Sequence, residues 1–166
     1  DTYCNLLNEV VKEMKGEEVV EDIDIQIDLN VTSYIPDEYI SDSAQKIEIY
    51  QNIALCKNEE DIQNEIDEII DRFGNMPPEL ENLLDIARIK YLAKNLYITK
   101  IMSKRTAVVF TFEQSKFNVN IEELVQQYRN RIKFSPGVKP MITLEIGTTN
   151  ERQILNDVQE VLKLLQ

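Results

Sequence analysis

Apolar residues recur along this chain with two periods, and the changes of period lay out its elements. From Asp1 to Gly16, the residues Tyr3, Leu6, Leu7, Val10, Val11 and Met14 share one helical face, which predicts a helical arm over 1–16. The acidic connector from Glu17 to Asp22 marks a boundary, so the main domain is read as 17–166. Ile23, Ile25, Ile27 and Leu29 then alternate with Asp24, Gln26, Asp28 and Asn30, the period of a strand with one face buried. After the extended, proline-bearing stretch Tyr34 to Ile40, residues Ser41 to Ser43 offer N-caps for a helix carrying Ile47, Tyr50, Ile53 and Ala54 inward. Asn58 with Asp61 predicts the capped start of a second helix. Its core face is Ile62, Ile66, Ile69, Ile70 and Phe73, and its opposite face is Glu60, Asn64, Glu68 and Asp71.

The chain is organised around the next stretch, Asp71 to Ile101. Gly74 can take the left-handed conformation that ends a helix. Pro77 and Pro78 suit the first turn of the following one, where a missing N–H costs nothing. Leu80, Leu83, Leu84, Ala87, Tyr91 and Leu96, widened by Ile86, Ile89 and Ala93, make an apolar stripe too broad for a surface helix. This is the expected core helix. Strands are predicted around Ile98 to Met102, Thr106 to Phe112, Ile132 to Phe134 and Met141 to Ile146, on their β-branched and aromatic content. Glu113 to Ser115 turn the chain into Lys116 to Val119, and Asn120 is expected to cap a short helix with Ile121, Leu124, Val125 and Tyr128. Thr149 or Asn150 caps the last helix, whose stripe is Ile154, Leu155, Val158, Val161, Leu162 and Leu165. The expected fold is therefore α+β, a small mixed or antiparallel sheet packed against several helices.

Composition narrows the chemistry. The chain has 166 residues, is 43% hydrophobic, and carries 30 Asp and Glu against 18 Lys and Arg, for a net charge of −12. Duplex binding works by neutralising phosphates. Because the basic residues are read along the chain as scattered, no direct nucleic-acid binding is expected, and a basic protein surface is the better electrostatic partner. No apolar run suggests a membrane span, and a cytoplasmic protein with reduced thiols at Cys4 and Cys56 is expected. The absence of histidine removes Ser–His and Cys–His pairs and histidine bases. The four isolated glycines cannot be written into either phosphate-cradling motif. No catalytic residue, cofactor or metal is assigned, and no ATP hydrolysis by this chain is expected. The acidic set Glu21, Asp22, Asp24 and Asp28 lacks the glycine and terminal glutamate of a calcium loop and reads as a wet strand face. Glu68 and Asp71, three apart near a helix end, share a face. They are either a solvated face or a docking site for arginine. Asp71 there opposes the helix dipole at a cost of a few tenths of a kcal/mol.

Three segments resemble the C-terminal domain of the bacterial transcription-repair coupling factors, the Mfd family. They are YIPDEYI with SAQKIEIYQNIALCKNEEDI, the longer EIIDRFGNMPPELENLLDIARIKYLAKNLYITKI, and the N-terminal YCNLLNEVVKEMKG, which is similar to the helix leading in from the motor domains. The likeness covers Asp1 to Ile101, and beyond it only the order of elements agrees. The family's proteins are ATP-dependent translocases that push stalled RNA polymerase off damaged DNA and recruit UvrA for excision repair. Their ATPase and polymerase-binding motifs lie upstream and are absent here, so the chain, which starts in mid-pattern, is read as a piece of a longer one. What the resemblance implies for it is regulation. The domain would dock on the UvrB-like module of the same protein, mask the UvrA-binding surface and restrain the motor. Along EIIDRFG, the family's interdomain contacts fall on Glu68 and Asp71. The alternatives kept open are a stand-alone acidic adaptor binding a basic protein surface, and a carboxylate-based metal enzyme.

Overall fold

The computed structural model describes residues 25–113 and 121–166. The arm over 1–16, the boundary at 17–22, Ile23, the acids at 21, 22 and 24, Lys116 to Val119 and the Asn120 cap lie outside the described residues. Among those described, five helices and five strands run in the order β1 (Gln26–Asp28), α1 (Ser43–Ala54), α2 (Glu59–Phe73), α3 (Pro78–Asn95), β2 (Ile98–Lys104), β3 (Ala107–Phe112), α4 (Ile121–Tyr128), β4 (Ile132–Ser135), β5 (Met141–Glu145) and α5 (Glu151–Leu165). The strand order is β1-β2-β3-β5-β4, with β1 parallel to β2 and every other pair antiparallel. The fold is α+β with a mixed sheet, and no described helix is long and apolar enough to cross a membrane.

Caps set the helix starts where the side-chain chemistry asks for them. Asp42 accepts from the Ala44 N–H at 2.9 Å, Asn58 from Asp61 at 2.8 Å, and Asn150 from Gln153 at 3.0 Å. Asp61 reaches back to the Lys57 N–H at 3.0 Å, closing a reciprocal cap one residue outside the usual position. Pro78 opens α3 as its first residue. Gly74 stops α2 with its N–H on the Ile70 carbonyl at 2.9 Å, but with φ +89° and ψ −163°. That is positive φ with an extended ψ rather than the left-handed helical region, a backbone essentially confined to glycine. The Gly74 carbonyl accepts the Tyr39 hydroxyl at 2.5 Å, and the Tyr39 ring packs on Phe73 with centroids 6.0 Å apart. The Tyr34–Ile40 stretch and the Phe73–Gly74 stop, separate in sequence, are one structural joint.

Two cores result, and α3 belongs to both. Its N-terminal half places Leu80, Leu84 and Ala87 against Ile35, Ile40, Ile49, Ile53, Ile62 and Ile69. Its C-terminal half places Ile89, Leu92, Ala93 and Leu96 against β2, β3, β5, α4 and α5, including the fully buried Phe110, Leu124, Leu144 and Leu155. Every residue of the predicted α5 stripe is buried.

Three inward assignments are corrected. In α1 the buried residues are Ile49 and Ile53, whereas Ile47 is 45% exposed. Ile47–Tyr50–Ala54 and Ile49–Ile53 are both helical spacings, and packing against α2 and α3 selects between them. In α2, Ile70 is 42% exposed and Glu65 takes the flank of the buried face. In α4, Val125 is exposed while Leu124 and Tyr128 are buried.

Candidate docking face

Glu68 and Asp71 both lie exposed on the last two turns of α2, about 60° apart at 100° per residue. Asp71 sits opposite the buried Ile62 and Ile69, aimed away from the domain, with no ion pair or hydrogen bond to a described residue. Glu68 lies toward α1. There Arg72 holds it at 3.5 Å and also reaches Glu48 of α1 at 3.2 Å, its guanidinium 5.0 Å from the Phe73 ring centre. The two carboxylates are thus near neighbours with different states, one unpaired and one shared. They stand on a helix whose other side is core, which fixes their position without needing their charge.

Sequence reading missed the residue between them and the core. Glu65 is 8% exposed, and its Oε1 has no hydrogen-bond partner. Burial pushes its carboxyl above the usual range, with Glu68 and Glu48 adding to the rise and an Asn52 hydrogen bond opposing it. Cys56, one helix end away, is half-buried. Burial and then Glu65 and Asp61 push its thiol up to about 11, so it is a poor nucleophile. Nothing in the one-dimensional pattern marked Glu65, because a glutamate at the edge of an apolar stripe normally snorkels to water.

A second polar group lies where the two cores meet. Asp85 of α3, 4% exposed, pairs with Arg88 at 2.7 Å and with Arg152 of α5. Arg152 also donates to Asn82 at 2.6 Å, and Asn82 donates to the Thr32 carbonyl at 2.9 Å. Arg88 continues to Glu59 at the start of α2, at 2.9 Å, and Tyr91 donates to the same carboxylate at 3.1 Å. Burial works to raise the Glu59 pKa, but the hydrogen bonds from Arg88, Gln63 and Tyr91 hold it below the usual value. Around this network α3 and α5 leave a cleft of about 410 Å³, with Lys163 at its rim. Its arginines are engaged by carboxylates, and these pairs tie α2, α3 and α5 together as a clasp.

Charge is not spread evenly, which corrects the reading of the basic residues as scattered. Residues 25–85 contain 15 Asp and Glu against 3 Lys and Arg, whereas 86–166 contain 7 against 13, giving −12 and +6. The face carrying Glu68 and Asp71 therefore sits in a strongly negative half.

A family model described as the TRCF domain matches residues 29–124. The transcription-repair-coupling factor of Rickettsia typhi is 36% identical over 165 residues, 98% of this chain and 14% of that protein. The one from Bacillus subtilis strain 168 is 31% identical over 175 residues, covering 100% of this chain and 15% of that protein. The chain thus spans about one seventh of the length of these relatives. A crystal structure of the C-terminal domain of a transcription-repair coupling factor superposes with a TM-score of 0.73 at 23% identity, covering 86% of this chain and 91% of that one. The identities and the matched domain together assign the family: this chain belongs to the TRCF domain family of the transcription-repair coupling factors.

Proposed function

We propose that this chain is a regulatory domain whose acidic α2 face docks on the UvrB-like module of its own full-length protein, masking the UvrA-binding surface and restraining the ATP-driven motor. The observation that carries this reading is Asp71: an unpaired carboxylate on a rigid helix end, facing away from its own domain, within a half of net charge −12. Like charges crowded on one face cost stability, and a cationic partner surface would relieve that cost. Each charge-assisted hydrogen bond to an arginine contributes about 1.5–3 kcal/mol before desolvation. Two such bonds would set a closed state a few kcal/mol below an open one, a margin that a partner binding only the open form can reverse. Because both domains share a chain, a modest interface suffices. RNA polymerase and UvrA enter through the full-length protein. No catalysis or cofactor is assigned to this domain itself, and its acidic α2 face repels nucleic acid.

The test replaces Glu68 and Asp71 together with Ala. Neither side chain packs in the core, so the stability of the domain should change by no more than about 0.5 kcal/mol. In the full-length protein, UvrA affinity and polymerase-free ATPase should both rise. Charge reversal to Lys should raise them further, since it adds repulsion to lost attraction. Equal UvrA affinity and ATPase in wild type and double variant, with the fold intact, would reduce the pair to a solvated face.

A further inference from the structure

We infer that the notch between α1 and α2, floored by Glu65 and flanked by Glu48 and Glu68, is a guanidinium-binding site that Arg72 fills from within until a partner arginine displaces it. This deepens the docking reading above and rests on it for the identity of the partner.

Arg72 shows what the notch accepts. Its Nη1 reaches carboxylates from two helices, Glu48 on α1 and Glu68 on α2, through that one nitrogen, whereas a guanidinium seated more deeply would bring its whole fork of N–H donors to the three carboxyls. The fit is loose. At 3.2 and 3.5 Å, both contacts are longer than the roughly 2.7–2.9 Å of a well-formed guanidinium–carboxylate bond. Arg72 also reaches the notch from the rim, and its side chain stays 31% exposed. Beneath it, the Glu65 carboxyl is held on one side by Asn52 while Oε1, shielded from water, has no donor. A buried acceptor without a donor is costly, and a donor brought from outside recovers that cost. Glu48 and Glu68 against Arg72 leave the notch at −1 before Glu65 is counted, so an incoming guanidinium is attracted even before Arg72 swings away. Arg72 therefore has two effects. It keeps Glu48 and Glu68 from repelling each other in the free domain, and it competes with the partner for them.

The competition makes a prediction that a purely structural clip does not. The 166-residue chain would be titrated at low salt with tri-arginine and tri-lysine peptides, following backbone amide shifts. Tri-arginine should bind at least about threefold more tightly than tri-lysine. Arg72→Gln should raise tri-arginine affinity by at least about threefold, because the internal competitor is gone. Arg72→Met, which keeps most of the aliphatic stem, should do the same and stands in should the Gln variant fail to fold. Lys46→Gln removes the same unit of charge from α1, where Lys46 pairs with Asp37, and should change affinity by less than about 1.5-fold. Glu65→Gln should lower tri-arginine affinity by at least about threefold while the domain stays folded. The inference is overturned if Arg72 variants bind no better than wild type, if Lys46→Gln gains as much as they do, or if Glu65→Gln binds unchanged. The docking reading is scored separately, by the Glu68/Asp71 double variant in the full-length protein. Should that variant behave as wild type while Arg72→Gln still gains tri-arginine affinity, the notch stands and the proposed partner falls.

Discussion

The helical half, α1 and α2 with the start of α3, and the sheet half, from the end of α3 to α5, bury cores of the same kind but treat charge in opposite ways. In the sheet half Asp157 is paired with Arg131 at 3.3 Å, and Arg152 is spent on Asp85. The sheet half carries the opposite excess, and two of its arginines, Arg88 and Arg152, reach across to Glu59 and Asp85 of the helical half. Residues 25–85, which hold β1 as well as the helical half, have 15 carboxylates for three cations, so most have no possible partner within that stretch. A domain shaped by its own stability alone would not leave one half at −12. The excess lies on surfaces rather than in the core, and it is greatest on the half that carries the α2 face. The two halves thus hold opposite excesses that meet at the α3 clasp, and the α2 face lies away from it.

Whether the halves are energetically separate is the first point to break. Leu84, 1% exposed, lies in the helical core, and Leu84→Ala should cost about 2–5 kcal/mol. Since α3 crosses both cores, the variant should shift one cooperative melting transition. A helical transition moving alone in calorimetry, with the sheet half melting as before, would show two independent units. The junction offers a sharper cut. Asp85→Ala leaves Arg88 and Arg152 without their shared carboxylate and should destabilise by about 3 kcal/mol, read by urea titration. A loss under about 0.5 kcal/mol would mean that the clasp contributes nothing beyond packing.

The next change is confined to the helical half. Gly74→Ala meets no neighbour within 4 Å, so any loss must come from the backbone, φ +89° being strained for a residue with a side chain. About 1–3 kcal/mol is expected, and a variant as stable as wild type would show that the stop tolerates a rearranged turn.

The smallest effect is the most diagnostic of unpaired charge. Glu65 holds its proton more tightly folded than unfolded. The stability it contributes is therefore fully present below the ordinary carboxylate value of about 4.3 and is lost as pH rises through the raised one. Glu65→Gln cannot ionise. Variant and wild type should melt alike near pH 4, and at neutral pH the variant should be more stable by about 1 kcal/mol. A difference that does not vary with pH would remove the buried charge from the comparison.

The sequence by itself determined the elements, the stops and the family. The 3.6 period placed the helices and period two placed β1, because burial on one face imposes those spacings whatever the neighbours are, while β-branched and aromatic content placed the other four strands. Asn58 with Asp61, Gly74, Pro78 and Asn150 marked boundaries through local hydrogen bonding and backbone geometry, which need no partner from elsewhere. Glu68 and Asp71 were legible as a shared helix face, and only likeness to a family favoured docking over a solvated face, since two exposed carboxylates carry no local signature. Tertiary structure alone decided which of two equally spaced faces of α1 turned inward, burying Ile49 and leaving Ile47 out. It alone brought Asn82, Asp85, Glu59 and Arg152 into one network, up to 93 residues apart in sequence. It also put Glu65 under Arg72. Each of these depends on distances between segments remote in the chain, and periodicity, which records only what a residue shares with its near neighbours, does not encode them.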